Sequence, residues 1–159
     1  MRLDAGGALG HAGLVVSDNA SGQALSTTPA LLTCFSANGA GTSQTQGNPS
    51  LTPDVGSDRI RVDSPGTYLV RFTGHGSCSG ATATVKARLR QAGGSGGPGT
   101  SAKVETGGSE VQLSFSTIVK VTNAQMSGGY FDLDLTAESS TGAPTLTLRF
   151  AQLTALRIR

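Results

Sequence analysis

The chain has 159 residues and a mass of 16.0 kDa, a length that fits one domain built around one core. Only 14% of the residues are charged and the formal net charge is +2, so the sequence lacks the basic surface that nucleic-acid binding normally needs. The longest apolar run near the start, Leu14-Val15-Val16, is too short for a signal sequence or a membrane helix. We therefore expect a protein made and kept in a cytosol, without a nucleic-acid or membrane partner.

The core must be thin. Apolar residues make up 36% of the chain and aromatic residues only 4%, so Val, Leu, Ile and Ala have to form it. A thin core favours oligomerisation, because a partner subunit buries surface that one subunit leaves exposed.

The chain has two cysteines. Cys34 and Cys78 pair only if the fold brings them together, and a reducing compartment disfavours that disulfide bond. Free, partly buried thiols are the favoured state.

The first 29 residues contain no convincing strand or helix. Their composition of Gly, Ala, Ser and Asn predicts an extended N-terminal arm over residues 1–29, followed by a β domain over residues 30–159. Apolar residues on such an arm are not buried within the chain itself. The arm is therefore predicted to bind a partner through its apolar residues, which are Leu9, Leu14, Val15 and Val16.

Alternation of apolar and polar residues with a period of two recurs after the arm and predicts strands. The predicted strands cover residues 31–35, 59–63, 67–74, 85–90, 111–121, 131–135 and 146–158. Ile118 is out of phase with its neighbours, which indicates a bulge or burial on both faces, and Leu153 is off phase in the last strand. The pattern predicts an all-β fold of seven or eight strands.

Basic residues alternate with apolar ones in two of these strands, which places them on a solvent face and not on a phosphate track. They are Arg59, Arg61, Lys86, Arg88 and Arg90. Two long turn-rich stretches, residues 37–57 and 92–109, are predicted to be surface loops. Loops of that length are uncommon in compact domains unless they bind something or stay disordered.

Candidate chemistry is sparse. His11 and His75 have no second ligand at metal-binding spacing, so we predict no metal site. His75 precedes Cys78 by three residues, but neighbours on one segment rarely have the geometry that activates a thiol. Residues 93–99 are Gly-rich but lack the Lys-Ser/Thr ending of a phosphate-binding loop.

Asp132 and Asp134 form a carboxylate pair at positions i and i+2, the arrangement that a glycosidase or a cation site uses. Their alternation with Phe131, Leu133 and Leu135 explains them as the wet face of a strand, and we favour that interpretation. No GxSxG nucleophile motif occurs either. The sequence therefore predicts a protein that is not an enzyme, with no catalytic residue and no cofactor.

The segment 58–74, with Pro65-Gly66-Thr67-Tyr68 at its centre, resembles the strand-Pro-Gly-x-Tyr-strand signature of C1q/TNF-like jelly rolls. The resemblance covers about residues 30–159. It implies an antiparallel β-sandwich of jelly-roll type that packs as a homotrimer about a threefold axis. For the trimer interface we predict Tyr68, Val70, Phe72, Phe115 and Leu148.

The superfamily members that this chain resembles, with an initial Met, low charge and abundant Gly, Ser and Thr, occur among the virion proteins of tailed phages. The resemblance implies a capsid decoration (cement) protein, which binds the major capsid protein on the assembled capsid through the arm and stabilises the shell. The alternative is a fibre-tip or receptor-binding module whose loops 37–57 and 92–109 recognise a host glycan or surface protein. A small hydrolase would require a convergent acid–base site, which the sequence does not supply.

Overall fold

In a computed structural model the chain forms two antiparallel β-sheets packed face to face. The structure describes residues 10–37, 41–46, 50–79, 83–91, 101–106, 110–126, 128–140 and 143–158. These ranges contain no α-helix, and their helical segments include the short 3-10 turns Val55–Ser57 and Asn123–Gln125. Within the same ranges, no helix is long and apolar enough to cross a membrane. The predicted all-β fold is confirmed.

Twelve strands build the two sheets over the described residues. In chain order they are β1 (His11–Val16), β2 (Gln23–Ala24), β3 (Ala30–Leu31), β4 (Gly41–Gln46), β5 (Leu51–Asp54), β6 (Arg59–Val62), β7 (Gly66–Ser79), β8 (Ala83–Gln91), β9 (Ser101–Thr106), β10 (Val111–Val121), β11 (Phe131–Ser139) and β12 (Thr145–Arg157). The front sheet has the order β10-β7-β12-β1-β4, with β2 paired to β12. The back sheet has the order β5-β6-β11-β8-β9, with β3 paired to β11.

The core lies between the sheets and follows the period-two alternation that predicted the strands. On β7, Tyr68, Val70 and Phe72 point inward and are almost completely buried. Ile60 and Val62 on β6 and the apolar positions of β8 and β11 meet them from the back sheet. Because few aromatic rings are available, most of this core is aliphatic, as the composition predicts.

The Pro-Gly-Thr-Tyr element has a structural role. The Tyr68 ring is buried in the core, and its hydroxyl donates a hydrogen bond of 2.6 Å to the carbonyl oxygen of Ser64. The Arg157 guanidinium donates to the Pro65 carbonyl at 3.1 Å, and the Ile158 amide donates to the Thr67 carbonyl at 2.8 Å. The turn is thereby fastened to both the core and the end of β12.

The predicted trimer-interface residues lie mainly inside one chain. Tyr68, Val70, Phe72 and Leu148 are buried in the core of the isolated chain, so they have no surface left for a partner, and this prediction is wrong for these four. Phe115 also faces the core, with its ring centroid 5.6 Å from that of Phe72, but remains partly accessible on the edge strand β10. The alternation of the sequence shows which residues share one face of a strand, but not whether that face contacts the core or a partner.

The predicted N-terminal arm is part of the sandwich over its described residues. Strand β1 lies inside the front sheet, paired with β12 on one side and β4 on the other. Leu14 and Val16 are fully buried between the sheets and Val15 is half-buried on the opposite face, so these three residues are not a free partner-binding arm. The boundary at residue 29 is therefore wrong, and Leu9 lies outside the described residues.

The two predicted surface loops contain regular structure as well. Residues 37–57 include β4, β5 and the 3-10 turn, and residues 92–109 include β9. Strand β4 has the sequence Gly-Thr-Ser-Gln-Thr-Gln, which carries no apolar residue and therefore gives no alternation signal. Its hydrogen bonds to β1 place it at the edge of the front sheet. The Gly-rich residues 93–99 lie outside the described residues.

Candidate functional site

The outward side of the front sheet, here called the front face, carries the exposed large apolar side chains of the described residues. Ile118 on β10 is 62% exposed and Phe150 on β12 is 39% exposed. Both side chains lie on this one face, in outward rows of the sheet that are three steps apart. The front face is therefore the first candidate for a functional site.

Ile118 lies at the end of an apolar row that crosses the front sheet. It pairs in register with Leu69 on β7, and Leu69 pairs with Leu156 on β12. Leu69 and Leu156 are half-buried and point outward, and His11 on β1 follows Leu156 in register. Ile118 is therefore out of phase with its neighbours because β10 carries apolar residues on both of its faces. The sequence pattern had two explanations, a bulge or apolar residues on both faces, and the second applies.

Phe150 faces outward because of an irregularity in β12. The register with β7 shifts between Leu148 and Phe150, which leaves Arg149 as the extra residue of a β-bulge. Leu146 and Leu148 point inward before the bulge, and Ala151 and Leu153 point inward after it. The off-phase position of Leu153 in the sequence is the trace of this bulge.

A glycine allows the bulge to form. A Cβ atom on Gly76 of β7 would collide with the carbonyl oxygen of Thr147 and approach the Leu148 backbone at 2.8 Å. The absence of a side chain therefore lets β7 lie against the bulged strand. Gly76 thus helps to turn Phe150 toward the front face.

The front face has few charges. Between the row of Ile118 and the row of Phe150, Arg71 is the described outward side chain with a fixed charge, and His11 and His75 are the titratable groups. Most of the other outward side chains of β10, β7 and β12 in these rows are hydroxyl or amide groups, namely Gln112, Ser114, Ser116, Thr73, Gln152 and Thr154. The face is thus apolar in the row of Ile118 and at Phe150 and mainly polar between them, with positive charges at Arg71 and, in the next outward row beyond Ile118, at Lys120.

The candidate Cys-His pair does not form. His75 and Cys78 are both on β7, but His75 is exposed on the front face while Cys78 packs against the core. Residues three apart in a strand leave it on opposite faces, so the thiol and the imidazole cannot reach each other. Within the described ranges, no group of three or more His, Cys, Asp or Glu side chains is arranged to hold a metal ion.

The outward side of the back sheet, here called the back face, is highly charged. Its central strand β11 carries Asp132, Asp134 and Glu138, and the strands on either side carry basic residues. The Arg59 guanidinium lies 2.8 Å from an Asp132 carboxylate oxygen, and the Arg61 Nε lies 3.6 Å from the other. Alternation thus predicted the right face for these carboxylates.

Asp132 and Asp134 are nevertheless buried, because arginine side chains cover them. Arg90 binds both oxygens of Asp134, with its Nε at 2.9 Å and its Nη2 at 2.6 Å. The prediction that the two aspartates form a wet surface is therefore wrong. Each carboxylate is engaged by its own guanidinium group, which leaves no free pair for acid–base catalysis.

The ion pairs of the back face lower the pKa of one carboxyl group and raise the pKa of one guanidinium group. Burial tends to raise the pKa of Asp54, but hydrogen bonds from Ser57 and Arg59 and the Arg59 charge outweigh it and hold that pKa below its usual value. The hydrogen bond to Asp134 raises the pKa of Arg90 despite the opposing effect of burial. Each shift favours the charged form of its own group, the Asp54 carboxylate in one case and the Arg90 guanidinium in the other.

Cavities in the described part of the chain give no catalytic arrangement. A cavity of about 30 Å³ beside Cys34 has room for about one water molecule. Two open depressions of about 400 and 420 Å³ lie at the bulge and at the Pro65 turn, and neither is lined by histidine or cysteine. The front and back faces therefore remain the two candidate sites.

Comparison of the sequence with known protein families gives no match, and comparison with functionally characterised proteins gives none either. Solved structures do match. The globular domain of zebrafish complement 1qA protein is 11% identical, with a TM-score of 0.60 over 96% of this chain and 98% of that one. A crystal structure of murine APRIL gives 11% identity and a TM-score of 0.55 over 94% and 99% of the two chains.

The Eiger TNF of S. frugiperda is also 11% identical, with a TM-score of 0.57 over 96% of this chain and 94% of its own. The chain therefore has the C1q/TNF-like jelly-roll fold. At this identity the likeness concerns the fold alone. The jelly-roll strands begin at β1, which explains why the match extends over nearly the whole chain and not only over residues 30–159.

Neither Cys34 nor Cys78 forms a disulfide bond, and we predict that the two thiols differ in reactivity. Burial raises the pKa of the Cys34 thiol and the nearby Asp58 carboxylate raises it further, so little thiolate forms there. Cys78 is only half-buried. Iodoacetamide is therefore expected to alkylate Cys78 in the native protein and to reach Cys34 only on unfolding. Peptide mass spectrometry over time checks this, and equal rates at the two thiols would contradict it.

Proposed function

We propose that the chain is a non-catalytic structural subunit that self-associates through its front face as a homotrimer. The observation that carries the proposal is the outward position of Ile118 and Phe150 on a face with one fixed charge between them. Burying such side chains stabilises an association by about 1–2 kcal/mol each. The trimeric arrangement is what the resemblance to C1q/TNF-like proteins implies.

A second copy of the chain suits this face better than an unrelated charged partner. The apolar row of Ile118, Leu69 and Leu156 offers another copy the same aliphatic surface, and the serine, threonine and amide groups beside it bond to each other in either direction. Contacts of this kind resemble the interior of a domain, as do the permanent interfaces of homo-oligomers. Because the aliphatic core of one chain is thin, the apolar surface buried between copies adds to the stability of each of them.

Substitution of the two exposed apolar residues tests the self-association. Ile118→Lys and Phe150→Lys each place a charge in the proposed contact, and we expect each to weaken the association at least about a hundredfold. Multi-angle light scattering measures the mass of the assembly. Because both side chains point away from the core, each variant should keep the circular dichroism spectrum of a β protein.

Thr28→Lys provides the matched control, since Thr28 is exposed in the connection that runs from β2 of the front sheet to β3 of the back sheet and belongs to neither sheet. It is expected to retain the full assembly. An assembly that survives both front-face substitutions, or that Thr28→Lys dissociates equally, would overturn the self-association proposal.

The finer part of the proposal is the place where the trimer acts. We propose the outside of a phage capsid, where the trimer binds the major capsid protein as a decoration protein and stabilises the shell. The low charge, the abundance of Gly, Ser and Thr and the implied trimer support this. The arm does not, because its described residues form β1, β2 and their connections within the sandwich. The capsid contact must therefore come from another surface.

Capsid rupture temperature tests this role. Undecorated capsids are heated with the wild-type protein and with Ile118→Lys, and a higher rupture temperature is expected with the wild type alone. An unchanged rupture temperature with no protein on the capsids would remove the decoration role. Retention of the isolated trimer on host cells would instead favour the fibre-tip alternative.

A further inference from the structure

Both histidines of the chain lie on the front face. His11 follows Leu156 in the apolar row of Ile118. His75 is the register partner of Phe150, the other exposed apolar residue of the face. In the single chain His11 is half-buried and His75 is exposed. An imidazole therefore lies next to each of the apolar positions that self-association would bury between copies.

His11 has uncharged residues on both sides. It is paired in register with Leu156 on β12 and with Gln46 on β4. In the next row, which contains Gly13, the outward charge is Arg71 on β7, two strands away from β1. Strands β1, β4 and β12 contain no aspartate or glutamate. No carboxylate of these strands therefore stabilises a protonated imidazole at this position.

His75 has charged neighbours of both signs. It is paired in register with Gln112 on β10, and the bulge of β12 lies on its other side. Glu110 precedes β10 by one residue, so it lies one row beyond Gln112. The depression at the bulge is lined by Arg149 and Asp18. The carboxylates favour a protonated imidazole and the guanidinium opposes it, so the histidine of β1 is the more sensitive of the two to burial.

A neutral imidazole suits the proposed contact between copies, and an imidazolium does not. Histidine is the side chain whose ordinary change of charge falls between about pH 5 and 8. Burial between copies disfavours its charged form, and Arg71 and Lys120 already place positive charge on the same face. A trimer therefore binds fewer protons than three separate chains, so the association weakens as the pH falls.

We propose that self-association through the front face is switched by pH, with His11 as the main sensor and His75 as a second one. The neutral histidines permit the trimer, and their protonation in a mildly acidic medium releases folded single chains. This inference rests on the proposed self-association and adds its regulation, and it assigns a role to the two titratable groups of the front face.

Sedimentation velocity of the full chain at about pH 7.5 and about pH 5.5 tests the inference. The lower value is about one unit below the pH at which a histidine is ordinarily half-protonated. Each imidazole that the trimer holds neutral should then weaken the association by about tenfold per chain. The wild-type protein is expected to sediment as a trimer at the higher pH and to dissociate at the lower pH, over the same range of protein concentration.

Substitutions of the histidines assign the effect to them. His11→Gln keeps a neutral polar side chain and is expected to remove most of the pH dependence, and His75→Gln should remove a smaller part. His11→Lys carries a permanent charge and should dissociate at both pH values. Asp63→Asn is the matched control, because it removes one exposed titratable group from the end of β6 in the back sheet, and it should keep the full pH dependence.

The possible failures are distinguishable. A wild-type trimer of equal stability at both pH values would overturn the switch and leave self-association standing, whereas a single chain at both would overturn the two together. Full pH dependence in the double variant His11→Gln/His75→Gln would also overturn the switch. Circular dichroism at each pH checks the folding of the released chains, and loss of the β spectrum at about pH 5.5 would contradict the inference, because dissociation would then follow from unfolding.

Discussion

Leu14→Ala is expected to lower the free energy of unfolding by about 2–5 kcal/mol. Leu14 is fully buried on β1, which is hydrogen-bonded to β12 and β4 inside the front sheet. Removing most of its side chain leaves a cavity that the two flanking strands restrict from collapsing. Urea titration followed by circular dichroism measures the loss, which should appear as a lower midpoint with an unchanged slope.

The neighbouring residue provides the control. Val15 is half-buried on the front face, so Val15→Ala should lower the free energy of unfolding much less than Leu14→Ala. A chain that lacks residues 1–29 loses β1 and β2 altogether and is not expected to unfold cooperatively. If Leu14→Ala left stability unchanged, residues 11–16 would be an arm and not a strand of the core.

Asp132→Asn is expected to destabilise the fold by about 1–3 kcal/mol. Its carboxylate is the buried partner of both Arg59 and Arg61. The substitution leaves Arg61 without its counter-charge and leaves Arg59 with Asp54 as its carboxylate partner, and the partial exposure of both arginines to solvent moderates the cost. The shape of the side chain is nearly unchanged, so the effect reports electrostatics and hydrogen bonding, not packing. Chemical denaturation again measures it.

Asp54→Asn is the matched comparison on the same face. Asp54 pairs with Arg59 at 3.2 Å, but its side chain is 37% exposed, so this substitution should cost about 1 kcal/mol or less. The double variant should lose more than the sum of the two single losses, because each single variant leaves Arg59 one carboxylate partner and the double variant leaves it neither of the two. Equal effects of the two single substitutions would contradict the difference in burial between Asp132 and Asp54.

Six of the strands were predictable because their alternation is strong. The pairs Ile60/Val62 and Val85/Leu89 stand among basic residues, and a period of two is hard to mistake there. Strands β1 and β4 were missed for the opposite reason. In β1 the inward positions begin with Ala12, whose side chain is too small to stand out, and β4 is polar throughout. Their strand structure depends on pairing with the distant strand β12 and with each other, which local sequence does not encode.

The candidate faces were predictable only in part. Alternation placed Arg59, Arg61 and Asp132 on one outward face, but the burial of Asp132 depends on strands that are distant in sequence. Parity alone cannot decide which side of a sheet meets the core, so the sequence predicts an interface at the side chains of β7 that the structure buries in the core. Phe150 shares the parity of Leu148 in the sequence, and only the bulge at Arg149 separates them. The phase of Ile118 was the one local signal of the front face.

Sedimentation velocity of the wild-type protein measures whether the chain self-associates. We predict one species of three times the 16.0 kDa chain mass across a wide range of protein concentration. Ile118→Lys in the same buffer should sediment as a single folded chain. A wild-type protein that sediments at 16.0 kDa at every concentration would contradict self-association through the front face.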